Sequence, residues 1–449
     1  MKPAALSGFP EWLPAQRIVE QKVLDSIRRT FELHGFSSLE TRAVEPLDQL
    51  LRKGEIDKEV YVLRRLQAGE GEGDAGLGLH FDLTVPFARY VLENSGHLDF
   101  PFRRYQIQKV WRGERPQEGR YREFTQADID VVDRDSLSFH YEIELPLVVG
   151  EALAALPVPA ARIRVNNRKL AEGFYRGVGA TDTSAVLRSV DKLDKIGPDA
   201  VAKLLTDEAG LTPGAAKACL GLAQISAADA SFADQVRALG VSDPLLDDGL
   251  DELVRVVDGV SALQPGLVVA DLRIARGLDY YTGTVYETVL TGHEDLGSVG
   301  GGGRYDALAS DGKTTYPGVG ISIGVSRMLG RLLGSGALRA SRSVPTCVLV
   351  AVNDESGRAR ANAVANELRA RGVPTEVSPS AAKFGKQIRH ADRRGIPYVW
   401  FLGDTDEGDS IKDIRSGEQV LASAEKWMPP EADLWPTVST VSKDEESSS

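Results

Sequence analysis

Residues 103–132, RRYQIQKVWRGERPQEGRYREFTQADIDVV, restrict what this chain can fold into more than any other stretch. Two strand-like runs flank the polar loop ERPQEGR, where proline and glycine favour reversal. The second run sorts by face. Phe124, Gln126, Asp128 and Asp130 fall on one side, and Thr125, Ala127, Ile129 and Val131 on the other, as strand pleating demands. The second side is core. The first is too polar for core yet starts with an aromatic, so it suits stacking and hydrogen bonding of an amine-bearing ligand. An edge hairpin with a solvated face is the plainer alternative. Between 103 and 122, seven basic residues (Arg103, Arg104, Lys109, Arg112, Arg115, Arg120, Arg122) stand against two acidic ones, Glu114 and Glu118. Guanidinium forks match phosphate oxygens, so the hairpin favours an anionic ligand.

A second segment, RGLDYYTGTVYE at 276–287, alternates like a strand after Tyr281: Gly283, Val285 and Glu287 share one face, Thr282, Thr284 and Tyr286 the other. Buried charges need partners, so an arginine and an aspartate beside paired phenols suit a pocket for a polar ligand of aromatic size. VGGGGRYDAL (299–308) lacks every Cβ from Gly300 to Gly303, where a flat ring or a backbone can approach closely; tight packing explains such a run equally well. It is neither GxGxxG opening a helix nor GxxxxGK(S/T), which disfavours Rossmann and P-loop nucleotide binding. GVGISIGVSRMLGRLL (318–333) reads as a strand turning into a helix with Arg327 in its first turn, where backbone N–H groups attract anions. In LHFDLTVPFAR (79–89), Asp82 and Thr84 are expected on one face of a short strand, offering a carboxylate and a hydroxyl to an ammonium group. Helix capping is the plain reading of Thr84.

The remaining chain supplies the organisation. Apolar spacing predicts a helix over 10–34, a hairpin around GEGEGDAGLG, and a long amphipathic helix from about 134 to 156. Residues 168–262 turn rich in Ala, Leu and Asp and read as an all-helical insertion. Beyond Ser343, three strands alternate with two helices, the second of which (KFGKQIRHADRR, 383–394) carries five Lys/Arg and one His against one Asp. A solvated face is the usual meaning of such a run, but in a chain of net charge −12 it is one of two places where a polyanion docks. Two lone cysteines, Cys219 and Cys347, suggest neither a disulfide framework nor a metal cage, and no run reaches membrane-spanning length; a cytoplasmic protein is expected.

Together these segments resemble the histidyl-tRNA synthetases, class II aminoacyl-tRNA synthetases, over about residues 8–425. The 103–132 hairpin is similar to the family's motif 2, GISIGVSRML to its motif 3, and RGLDYYTGTVYE to its histidine-specific signature. The resemblance implies an α+β fold with four parts. These are a class II catalytic domain (1–167 and 263–335) with an antiparallel sheet flanked by helices, a helical insertion domain (168–262), an α/β anticodon-binding domain (343–428), and a disordered tail (429–449). It further implies a ligase and a homodimer that joins L-histidine to tRNA(His) using ATP as substrate with Mg²⁺. By position, Asp82, Thr84 and Gln126 would hold the α-amino group, Asp130 and Tyr281 the imidazole, and Tyr280 the pocket wall. Arg112 and Arg276 would act on the α-phosphate, with Arg276 also facing the carboxylate; Glu114, Arg120, Phe124 and Arg327 would surround ATP. Two positions depart from the family pattern: Arg42 stands where motif 1 has a proline, and Ser326 where motif 3 often has Glu. Two non-catalytic relatives share parts of the pattern, the synthetase-like regulatory subunit of ATP phosphoribosyltransferase and tRNA-sensing modules.

Overall fold

The face-sorted strands of the hairpin become the middle of a nine-stranded sheet. The computed structural model describes residues 4–51, 59–66, 76–274, 280–403 and 408–440. It divides into two units, Met1–Pro10 with Leu24–Arg331, and Glu11–Val23 with Leu332–Ser449. The sheet belongs to the first unit. Its strands are β1 (Ser37–Ser38), β2 (Phe102–Trp111), β3 (Glu123–Val132), β4 (Ala161–Asn167), β5 (Ser226–Ala227), β6 (Val268–Asp271), β7 (Thr284–Leu290), β8 (Gly300–Tyr305) and β9 (Gly318–Gly324). They run in the order β1-β2-β3-β9-β8-β7-β4-β6-β5. From β2 to β4 every pairing is antiparallel, which lets one face pack while the other meets solvent or ligand.

The packed face is the one expected from alternation. Ala127, Ile129 and Val131 of β3 and Val319, Ile321 and Ile323 of β9 are buried. Each larger side chain contributes about 1.5–3 kcal/mol relative to exposure. A slip of one residue would turn all of them toward the polar face, so this burial fixes the register.

Helices in chain order include α1 (Pro14–Leu33), α2 (Thr84–Asn94), α3 (His140–Ala154), α4 (Arg168–Gly177), α5 (Pro244–Leu263) and α6 (Val325–Gly334). The expected helix at 134–156 begins only at His140, because the backbone before it is tied elsewhere: Asp133 N and Asp135 N donate to Pro317 O and Thr315 O at 3.1 and 2.7 Å. Nor is α3 amphipathic. Besides the stripe Leu145, Val148, Val149 and Ala152, Glu142, Pro146, Gly150 and Leu153 are buried too, because it lies between the sheet and α5. The segment expected to be all helix also contains β5, which pairs with β6 at the sheet edge. Antiparallel contact between Tyr61–Leu63 and Leu77–Leu79 accords with the expected hairpin, whose tip lies outside the described residues.

The second unit holds β10 (Val348–Val350), α7 (Arg358–Ala370), β11 (Thr375–Val377), α8 (Phe384–Arg393), β12 (Tyr398–Phe401), β13 (Ser410–Asp413) and β14 (Gln419–Leu421), with sheet order β11-β10-β12-β13-β14. Its core gathers Val348, Val350, Leu368 and Trp400. The sequence signals β10, β11 and β12; β13 is short and mostly polar, and β14 is three exposed residues long, too brief to register as a strand.

Candidate active site

Pleating and register decide which side chains meet on the open face of the sheet. Asp128 on β3 pairs with Ser322 on β9, Ser322 with Gly301 on β8, Gly301 with Glu287 on β7, and Glu287 with Arg164 on β4. Residues directly opposite share a face, so this is one continuous row of side chains. The next row runs Arg104, Asp130, Gly320, Gly303, Val285. Six strands from three distant parts of the chain thus form one floor. Above it opens a cleft of about 1050 Å³, with a narrow recess at its inner end holding about 20 Å³ of free space.

The glycines in the floor are there for clearance. A Cβ on Gly303 would sit 2.7 Å from the Tyr281 ring and 2.7 Å from Thr284 O, and one on Gly320 only 2.0 Å from Asp130 Oδ1. Close packing against backbone and the Tyr281 ring accounts for these glycines. Tyr280 and Tyr281 close over this region with ring centroids 4.3 Å apart.

The other end of the cleft is cationic and aromatic. Arg112 donates through Nε to Phe81 O at 3.0 Å and lies 5.2 Å from the centroid of Phe124. Arg120 and Glu114 stand 3.7 Å apart in the loop between β2 and β3. Arg327, in the first turn of α6, donates to Leu296 O and borders the same cleft. Ser326, next to it, accepts Thr125 N at 2.9 Å, fastening α6 to β3. Ser326 is itself buried, so this contact is shielded from water.

Beneath the recess, the Arg104 guanidinium, fully buried, lies 2.7 Å from Asp130 Oδ2, and Tyr305 donates its hydroxyl to Asp130 Oδ1 at 2.8 Å. Burial first, and Asp130 next, hold the Tyr305 phenol well above its ordinary pKa. On the far face, Glu142 of α3 accepts from Thr284 Oγ1 at 2.5 Å and Arg304 at 2.9 Å, although burial raises its pKa.

A family model described as histidyl-tRNA synthetase matches residues 8–328, and one described as anticodon binding domain matches 346–428. The chain belongs to the histidyl-tRNA synthetase family. A histidine–tRNA ligase of Cutibacterium acnes is 62% identical over 444 residues, covering 96% of this chain and 98% of the relative. One from Micrococcus luteus is 61% identical over 450 residues, covering 97% and 98%. The crystal structure of a histidyl-tRNA synthetase from a Nostoc species, 34% identical, superposes with a TM-score of 0.84 over 95% of this chain and 98% of that one. Like these relatives, the chain is an aminoacyl-tRNA ligase of the translation apparatus.

Of the residues expected at a synthetase site, Asp82, Thr84, Arg112, Glu114, Arg120, Phe124, Gln126, Tyr280, Tyr281 and Arg327 border the cleft. Asp82 and Thr84 do so from a bend and the start of α2 rather than from a strand; the Asp82 carboxylate accepts Val85 N at 3.2 Å, so the capping contact comes from Asp82. Asp130 lies one layer deeper and borders only the recess. Arg276 and Asp279 lie outside the described residues. Sequence reasoning put Asp128 on the ligand-suited side of its strand without a role of its own and gave Arg104 none. Arg104 was counted only as one of seven basic residues, though its strand position opposite Asp130 was the available signal.

Proposed function

We propose that this chain activates L-histidine with ATP to histidyl-adenylate and then esterifies histidine to the 3′ end of tRNA(His). The observation that carries the reading is the single cleft in which Arg112, Phe124 and Arg327 meet Gln126, Tyr280 and Tyr281. One end suits a nucleotide; the other suits an amino acid with a flat polar ring.

In the first step a histidine carboxylate oxygen attacks the α-phosphorus, forming the mixed anhydride, and the bond to the β-phosphate oxygen breaks to release pyrophosphate. The carboxylate is already ionised at neutral pH, so no general base is required. Alignment and charge neutralisation are. Arg112 supplies a cation held by Phe81 O, and Phe124 a platform for adenine, with Glu114, Arg120 and Arg327 around the triphosphate. Arg276 is assigned to the carboxylate and α-phosphate. The buried Gln126 side-chain oxygen has no hydrogen-bond partner among the described residues and, with Asp82 and Thr84, suits the α-ammonium. Tyr280 and Tyr281 wall the ring end, and Asp130 with Arg104 forms its base. In the second step a terminal ribose hydroxyl of tRNA attacks the carbonyl carbon, and AMP leaves.

Magnesium would enter with ATP. Among the described residues no three acidic, His or Cys side chains converge on an ion, which fits an ion held chiefly through substrate phosphates with one or two carboxylates, such as Glu114. It would offset phosphate charge. Residues 343–428 are assigned to the anticodon, 168–262 to an insertion domain and the 115–117 loop to the acceptor stem. A cytoplasmic homodimer completes the reading; no described helix is long and apolar enough to cross a membrane. At the position of the motif 1 proline, Arg42 pairs with Glu45 at 3.2 Å.

Histidine-dependent ATP–pyrophosphate exchange tests the reading. Arg112→Ala is expected to slow exchange about 100-fold or more, as loss of a transition-state donor does. Undiminished exchange in that variant would contradict its role.

A further inference from the structure

His80 is fully buried, and the steps above make no use of it. It opens the irregular segment 80–83, which joins the strand Leu77–Leu79 to α2 and lies beside the end of β2. The next two residues serve the cleft. Phe81 O accepts Arg112 Nε at 3.0 Å, and Asp82 borders the cleft while accepting Val85 N at 3.2 Å. The Phe81 contact occupies Nε of Arg112 and leaves its two terminal nitrogens for a phosphate. Where the guanidinium points therefore depends on where the Phe81 carbonyl is held.

Three hydrogen bonds from His80 hold that carbonyl in place. His80 N donates to Ala43 O and Trp111 N donates to His80 O, both at 3.0 Å. The third comes from the side chain, whose Nε2 lies 2.7 Å from Lys109 O. A carbonyl oxygen only accepts, so Nε2 carries the proton. The ring also packs on Trp111, with centroids 5.5 Å apart, and Trp111 is pinned in turn by Nε1 donating to Glu123 Oε2 at 2.9 Å. Trp111 ends β2, and Arg112 follows it. One imidazole thus ties the strand that delivers Arg112 to the segment whose carbonyl aims it.

We propose that His80 is a positioning residue for adenylate formation, its Nε2–H bond to Lys109 O holding the Phe81 carbonyl where it turns Arg112 toward the α-phosphate. The assignment rests on the reading of the chain as a histidine-activating enzyme. An error of about 1 Å in such an alignment costs about 100-fold in rate, so a residue that touches no substrate can still control the step. The other ring nitrogen, Nδ1, is buried with no hydrogen-bond partner among the described residues. Burial lowers the pKa of His80, against the opposing pulls of Lys109 O, the Asp82 carboxylate, Arg42 O and the Glu45 carboxylate. The neutral ring with its proton on Nε2 is the working form.

Two amides separate the hydrogen bond from the bulk of the ring. Glutamine carries its N–H₂ to the place of Nε2, asparagine only to the place of Nδ1. The assay is histidine-dependent ATP–pyrophosphate exchange by the full-length chain, with rates referred to active sites counted from the burst of pyrophosphate release. His80→Gln is expected to keep kcat within about threefold of the parent. His80→Asn should lower kcat about 30-fold with the KM values for histidine and ATP within about twofold, the pattern of an interaction lost in the transition state. His80→Leu, which fills the site without a donor, carries the same expectation and serves where asparagine fails to fold. Combining either donor-less variant with Arg112→Ala decides whether His80 acts through the arginine. The double variant is expected to be no slower than Arg112→Ala alone, since residues acting as one unit do not add. An undiminished kcat in the donor-less variants, an equal loss with glutamine, or losses that multiply in the double variant would overturn the assignment. Absence of histidine-dependent exchange in the parent chain would instead defeat the functional reading on which it rests.

Discussion

Arg104 shows how much of a site depends on a residue that never reaches its ligand. It is fully buried, bound to Asp130 at 2.7 Å, and its guanidinium lies 4.4 Å from the Phe87 ring centroid. Removing one partner of a buried ion pair leaves the other charged and unsolvated, which costs about 3–5 kcal/mol. Arg104→Met should therefore lower stability by about that amount, read from urea unfolding of the first unit; an unchanged midpoint would mean the pair is not a structural anchor. At this scale the sequence was only partly legible. Alternation put Gln126, Asp128 and Asp130 on one face, and the structure agrees. Alternation does not report depth, so it could not separate Asp128 at the cleft from Asp130 beneath it, nor pick Arg104 out of a run of basic residues. Both distinctions depend on which strands lie alongside, a non-local fact.

Among elements, the hairpin β2–β3 and helix α6 work as a pair. Ser326 Oγ accepts from Thr125 N at 2.9 Å, and Gly119, with φ +68, lets the hairpin loop lie against α6, where a Cβ would sit 2.9 Å from Arg327 O. Arg331 adds a clasp, reaching Glu118 of the loop at 2.8 Å and Asp295 at 2.7 Å. Those pairs are open to solvent, and exposed pairs contribute little to stability. Arg331→Ala should leave the melting temperature unchanged while raising the KM for ATP several-fold, because the loop carrying Glu114 and Arg120 loses a tether. An unaltered ATP KM would show that the loop holds itself. Strands and helices with strong periodicity were readable from sequence. The start of α3 was not, because backbone bonds to residues 315–317 took the turn that the helix would have used. The two-residue strand β5 carries no local signal; its pairing with β6 is what makes it a strand.

For the molecule as a whole, charge is distributed against its total. The chain carries −12, yet α8 presents Lys386, Arg389 and Arg393 to solvent, with Lys383 just before it. Nucleic-acid affinity follows such local stripes, and each lost phosphate contact lowers the salt dependence by about 0.7–0.9 in the log–log slope. A variant with Lys386, Arg389 and Arg393 replaced by Ala should aminoacylate tRNA(His) with a higher tRNA KM and a shallower salt slope, and retain its rate of ATP–pyrophosphate exchange. Equal losses in both assays would argue against separate anticodon and activation functions. The central claim, that one cleft selects histidine and activates it, is tested most directly by pyrophosphate exchange with the unaltered chain, each of the twenty amino acids being supplied in turn. Exchange driven by histidine and by none of the others is the predicted result; exchange with a different amino acid, or none with histidine, would contradict it.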